Sequence, residues 1–100
     1  MKIRLLTSAF NDLAEGRDFY GRQGEGIGEY YLNSLFSDID SLALYAGVHR
    51  QVYGFHRLLS KRFPCAIYYP IETGNVVVIY RVLDCRQIPR RTRTSLKADG

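Results

Sequence analysis

Residues 55–83 read FHRLLSKRFPCAIYYPIETGNVVVIYRVL, and this stretch decides the fold. Three segments in it, 55–59, 65–71 and 76–83, are rich in branched and aromatic side chains, which is typical of β-strands. Residues 60–63 close the first connection, and Thr73-Gly74 suits a tight hairpin in the second. The stretch therefore predicts a three-stranded antiparallel meander.

Ahead of the meander, the sequence predicts one strand and two helices. Residues 2–6 alternate polar and apolar side chains, as a half-buried strand does, and a helix containing Gly16 and Gly21 follows. A glycine-rich turn over 24–28 leads to a second helix, whose apolar positions at helical spacing are Leu32, Leu35, Phe36, Ile39, Leu42 and Ala43. The predicted fold class is α+β: an N-terminal strand, an α-helical hairpin and the meander, with the helices packed on one face of the sheet.

The positive charge of the chain is concentrated in its second half. One hundred residues predict a single domain over 1–100, with a basic tail over about 87–100. Residues 1–48 carry a net charge of −3, and residues 49–100 carry +7. This excess favours an acidic partner, either nucleic acid or an acidic protein segment. A solvated basic tail without a role is the alternative.

Several other classes of protein are excluded by the composition. The longest apolar run, residues 76–80, is far too short to cross a bilayer, and no signal-peptide pattern follows the N-terminus. Cys65 and Cys85 are too few for a disulfide scaffold and lack metal-ligand spacing, which favours reduced thiols in a cytoplasmic protein. The glycine-rich turn lacks the lysine of a phosphate-binding loop, so we expect no cofactor and no metal.

The register of the meander sorts its side chains onto two faces. If two-residue turns at 61–62 and 73–74 close the hairpins, position 57 faces 66 and position 66 faces 81. A core face then carries Leu58, Cys65, Ile67, Tyr69, Val78, Tyr80 and Val82. An uncovered face carries Arg57, Tyr68, Ile79 and Arg81, with Phe55 and Leu83 beside them. The arginines on this face either bind a polyanion or merely keep the open sheet soluble.

Three runs of sequence carry a family resemblance: GFHRLL at 54–59, RFPCAIYY at 62–69 and VIYRVLDCR at 78–86. They resemble the final strands of the RelE/ParE toxins of bacterial toxin–antitoxin pairs, and the last run is closer to the ParE branch. The resemblance implies a growth-inhibiting toxin of a type II system, of the kind linked to plasmid stabilisation. It further implies DNA gyrase as the target and neutralisation by a cognate acidic antitoxin in a heteromeric complex.

The resemblance also implies an alternative, a RelE-type ribosome-dependent mRNA endonuclease. Phosphodiester cleavage needs cations and proton carriers, for which the candidates are Arg57, Tyr68, Arg81 and Arg86. The proton carriers are poor, because Cys85 stands where the nucleases often have lysine or histidine and the tail holds neither tyrosine nor histidine. We therefore expect a toxin that acts by binding. The expected target-binding residues are Arg57, Arg81, Arg86, Arg90, Arg91 and Arg93. A family member retained only as a partner-binding module is a third alternative.

Overall fold

The structure, a computed structural model, describes residues 1–87 and 89–98 and has the expected α+β architecture. Its strands are β1 (Lys2–Leu5), β2 (Gln51–Val52), β3 (Phe55–Leu59), β4 (Cys65–Tyr69), β5 (Ile71–Glu72), β6 (Val76–Ile79) and β7 (Arg81–Asp84). Its helices are α1 (Thr7–Gly21), α2 (Ile27–Asp40), α3 (Leu42–Tyr45) and α4 (Pro89–Ala98). The predicted order of strand, helical hairpin and meander is confirmed. None of the helices in the described ranges is long and apolar enough to span a membrane.

The sheet is built around one long hairpin whose two arms are each interrupted once. Pro70 separates β4 from β5, and Tyr80 separates β6 from β7. The order β2-β3-β4-β7 is antiparallel throughout, while β6 lies between β5 and the parallel strand β1. Backbone hydrogen bonds from Val78 N to Pro70 O (3.1 Å) and from Tyr80 N to Tyr68 O (2.9 Å) join the two halves. These bonds join the three-stranded sheet β1-β6-β5 and the four-stranded sheet β2-β3-β4-β7 into one surface, called below the sheet, with β1 and β2 at its outer edges.

The main core lies between this sheet and the α1–α2 hairpin. Leu13, Leu35, Ile39 and Leu42 supply the helical side, as the spacing of the second helix predicts. The sheet side is formed by Leu58, Cys65, Ile67, Tyr69, Val77, Ile79 and Val82. Burying each of these large aliphatic side chains stabilises the fold by roughly 1.5–3 kcal/mol.

The two long helices approach closely because glycine stands where their surfaces meet. Tyr31 of α2 seats its phenol directly over Gly16, where a Cβ would overlap the ring. The ring of Tyr31 also stacks on that of Tyr20 and meets that of Phe63 edge to face, with centroids 5.1 Å apart in both pairs. Gly16, which weakens α1 locally, thus allows an aromatic cluster to close the end of the core.

We expect Gly16→Ala to lower the free energy of unfolding by about 2 kcal/mol, measured by urea denaturation. The added methyl group overpacks the buried Tyr31 ring, and this cost exceeds the roughly 1 kcal/mol that alanine gains over glycine in a helix. Gly21→Ala is the matched control, since its Cβ would lie 4.0 Å from the nearest heavy atom, the Gly28 Cα. Equal effects of the two substitutions would contradict this account.

The register predicted from two-residue turns is wrong by two positions. Arg57 faces Tyr68, not Ala66, and Tyr68 rather than Ala66 faces Arg81. The turn between β3 and β4 is longer than two residues, and a hairpin register follows its turn length. A shift of two keeps every side chain on its predicted face, so the faces of β3, β4 and β7 are as expected.

On β6 the predicted faces are inverted. Val77 and Ile79 point into the core, whereas the sequence predicted Val78 and Tyr80 there. Three residues, 78–80, stand opposite only two, 69 and 70, between the pairs Ile71–Val77 and Tyr68–Arg81. The extra residue is a β-bulge beside Pro70, which has no N–H to donate to the ladder. The turn between β5 and β6 has three residues, 73–75, and not the two predicted at Thr73-Gly74, and this one extra residue inverts β6. The bulge adds a second extra residue, which restores the predicted faces on β7.

The sheet face opposite α1 and α2, called here the second face, is covered and not open as expected. Helix α4 lies on it and buries Leu96 among Ala66, Tyr68 and Leu83, with Phe55 packed beside them. The basic tail therefore contains an ordered helix, whose buried leucine packs on the sheet. Sheet and helices form three layers at this point.

Candidate functional site

The candidate site begins with a row of three residues across the second face. Arg57 on β3, Tyr68 on β4 and Arg81 on β7 stand directly opposite one another. Period-two alternation places all three on the same side of the sheet. Of the predicted site residues, these three are the ones that the fold brings together, with a tyrosine between two guanidinium groups.

Arg81 is held by an acid from the other side of the fold. Its Nε and Nη2 donate to Oδ2 and Oδ1 of Asp12 at 2.7 and 2.8 Å, and the Val82 backbone N–H donates to the same Oδ2 at 2.9 Å. The two side chains are only 19% and 9% exposed, and Arg81 Nη1 also donates to Ser95 O of α4 at 3.3 Å. Arg81 thus ties together α1, β7 and α4. Its assignment to target binding stays a prediction.

Arg57 lies at the open end of the row and is half-buried. Burial raises the pKa of Tyr68, although a hydrogen bond with the Arg57 guanidinium opposes the rise. The same guanidinium lies near the Cys85 thiol, whose pKa is nevertheless raised by desolvation. Both groups are therefore protonated at neutral pH, and neither has the depressed pKa that a general base would need.

Arg86 lies just beyond the end of β7 and faces solvent. Its Nη2 and Nε donate to the two carboxylate oxygens of Asp84 at 2.7 and 3.0 Å, and these hydrogen bonds lower the pKa of Asp84. The pKa of the guanidinium itself is raised by the same contact. Arg86 remains 62% exposed, so it can still reach a partner outside the molecule.

The predicted tail residues are divided by α4. Arg91 faces a cleft of about 370 Å³ between α1, β7 and α4, while Arg93 faces a groove of about 410 Å³ between α4 and the β2–β3 hairpin. Arg90 is exposed at the start of the helix. The six arginines proposed for target binding are therefore not one cluster but flank both sides of α4.

The two histidines lie on the core side of the sheet, away from the second face. His49 Nδ1 is hydrogen-bonded to the Tyr69 hydroxyl, and His56 donates through Nδ1 to His49 O at 2.9 Å. Burial lowers the pKa of His49, and the neighbouring His56 adds to the effect. These contacts fasten the loop before β2 to the sheet. Among the described residues, no group of three His, Cys, Asp or Glu side chains is arranged to hold a metal.

Two residues of this region were not predicted from the sequence. Asp12 contacts Arg81 across 69 positions of sequence, and no local pattern signals such a pair. Tyr53 lines the groove beside α4 at a backbone φ of 56°, and the following Gly54 has a φ of 84°. Gly54, directly after this tyrosine, was the available signal for a turn there.

Comparison with known proteins supports the fold. No family model matches the chain, and no curated protein sequence matches it significantly. Among solved structures, it is similar to a chain of the chromosomal ParDE TA system from P. aeruginosa, with a TM-score of 0.71 and 21% sequence identity. The similarity covers 84% of this chain and 95% of that one. The RelE/ParE-like fold expected from the resemblance is thereby confirmed.

Proposed function

We propose that this protein is a ParE-like toxin of a type II toxin–antitoxin system that acts by binding its target. The observation that carries the proposal is the likeness of nearly the whole fold to a chain of a ParDE toxin–antitoxin system. The family motifs of the sequence run through β3, β4 and β7, which are the strands that form the second face. The protein acts in the cytoplasm, where its thiols stay reduced.

An acidic antitoxin is the partner that the charge distribution favours. Arg90, Arg93 and Lys97 are exposed on α4, and Arg86 is exposed beside it. Residues 85–98 contain no acid, and Asp84 just before them is already paired with Arg86. A carboxylate-rich, partly disordered segment could fold against such a surface and neutralise its charge.

DNA gyrase is the proposed target, by resemblance to the ParE branch. The mRNA endonuclease alternative requires a group that can take a proton from a 2′-hydroxyl. The raised pKa values of Tyr68 and Cys85 argue against both of the groups nearest the row as that base. This electrostatic setting supports action by binding over catalysis.

The proposal is tested by inducing the chain in bacteria, alone and together with the protein encoded by the neighbouring gene. We expect induction alone to stop growth, and co-expression to restore it through a stable complex. The attraction is largely ionic, so the dissociation constant of the purified complex should rise with salt concentration. Growth that is unaffected by induction would contradict the toxin assignment, and a salt-independent affinity would contradict the ionic interface.

A further inference from the structure

A strained tyrosine marks the groove between α4 and the β2–β3 hairpin. Two residues, Tyr53 and Gly54, connect the paired positions Val52 and Phe55, and both have positive φ values. These are the features of a type I′ turn, whose central positions favour Asn, Asp and Gly. A bulky aromatic residue is strained in the left-handed region, and such strain often persists where a side chain serves a function.

The groove beside this turn, called here the Tyr53 groove, has an apolar lining and a cationic rim. Its lining is formed by Tyr53, Phe55, Leu96, Arg93 and Lys97. Leu96 is buried, and the Phe55 ring contacts that of Tyr80 with centroids 4.9 Å apart, so the floor is rigid. Tyr53 is 41% exposed and stands as one wall.

The two positive charges of the rim lie on one side of the groove only. Arg93 and Lys97 are four residues apart on α4 and therefore project from the same helical face. Among the residues that the structure describes, no acidic side chain lines the groove. Charge complementarity thus selects an occupant that carries carboxylates along one side and a bulky apolar group to fill the floor.

The Tyr53 groove lies next to the row described above. Leu96 and Phe55, which line the groove, pack in the same cluster as Tyr68 of the row. An occupant that fills the groove would consequently lie beside the residues proposed to engage the target. This position suits a segment that neutralises the protein by covering them.

We propose that the Tyr53 groove is the docking site for an acidic amphipathic segment of the antitoxin, anchored by one bulky apolar side chain between Tyr53 and Phe55. This inference rests on the proposed function, because the antitoxin is the partner that it supplies. A single-stranded nucleic acid could also use an aromatic wall and two cations. The enclosed leucine and phenylalanine floor favours an aliphatic side chain over a stacked base.

The test compares Tyr53→Asn with wild type in binding to the purified product of the neighbouring gene, by isothermal titration calorimetry. Because asparagine tolerates the left-handed conformation, we expect the melting temperature to rise by about 4 °C. Affinity should nevertheless fall about 30-fold, as it does when an aromatic anchor is removed. Tyr45→Asn, on an exposed position of α3 outside the groove, is the matched control.

A second variant tests the rim without touching the turn. Arg93→Gln combined with Lys97→Gln should weaken binding about tenfold at low salt and flatten its salt dependence. Arg22→Gln combined with Lys2→Gln removes the same charge elsewhere and should change neither. If Tyr53→Asn has a higher melting temperature than wild type but binds the partner more weakly, Tyr53 cannot have a purely structural role.

The possible failures are distinguishable. Wild-type protein that binds no neighbouring-gene product overturns the proposed function and this inference together. Tight binding by wild type that neither Tyr53→Asn nor the rim variant weakens overturns the groove and leaves the proposed function intact. Tyr53→Asn that loses a fluorescein-labelled single-stranded DNA while keeping the protein partner overturns the assignment of a protein occupant.

Discussion

Asp12→Ala is expected to lower the free energy of unfolding by about 3 kcal/mol, a large part of the stability of a domain of this size. The substitution removes the carboxylate that pairs bidentately with the Arg81 guanidinium and accepts from the Val82 N–H, at a position largely shielded from water. Removing one member of a shielded ion pair costs more than the pair contributes, because a desolvated charge is left behind. Urea denaturation measures the change.

An exposed ion pair in the same sheet supplies the control. Arg4 and Glu72 meet at 3.3 Å with 61% and 47% of their side chains exposed. Solvent screens this pair, so Glu72→Ala should cost less than about 1 kcal/mol. A similar loss of stability from Glu72→Ala and Asp12→Ala would contradict the structural role given to Arg81. Full stability of the Asp12→Ala variant would contradict that structural role even more directly.

The second large effect is expected from Arg57→Ala combined with Arg86→Ala, which should restore colony formation when the chain is induced. Neither arginine is enclosed: Arg57 is half-buried at the end of its row, and Arg86 is mostly exposed. Each can therefore be removed without unfolding the domain. Each is expected to contribute roughly tenfold to target affinity through charge-assisted hydrogen bonds.

The control for this prediction removes two cations from elsewhere on the surface. Arg22→Ala combined with Lys2→Ala changes the net charge equally but leaves the second face intact. That variant should remain toxic. Near-wild-type melting temperatures for both variants would separate lost binding from lost folding, and toxicity retained by the Arg57 and Arg86 variant would remove these residues from the site.

The sequence was sufficient for the order of the elements and for one face of three strands. Leu58, Ile67 and Val82 could be assigned to the core because period-two alternation survives a two-residue error in register. Val78 and Tyr80 were assigned to the wrong face, because the β5–β6 turn has three residues and not two, and the bulge that restores the faces on β7 depends on how the two arms pair. Pro70 was the residue that could have signalled it.

The candidate site was harder to predict from the sequence than the fold was. Helix α4 contains Leu96 as its buried apolar anchor amid a run of arginines, a composition that resembles a solvated tail. Its docking depends on the small side chain of Ala66 and on Leu83, which come from other strands. The role of Asp12 likewise depends on tertiary structure alone. Local pattern thus identified which arginines share a face, but not which of them are held within the protein.

The most direct test of the central claim is the supercoiling activity of DNA gyrase in the presence of the purified chain. We predict that wild-type protein inhibits supercoiling of relaxed plasmid DNA and traps cleavage complexes, while the variant carrying Arg57→Ala and Arg86→Ala does neither. Gyrase that remains fully active at protein levels that stop growth would contradict the account, and cleavage of ribosome-bound mRNA under those conditions would establish the nuclease instead.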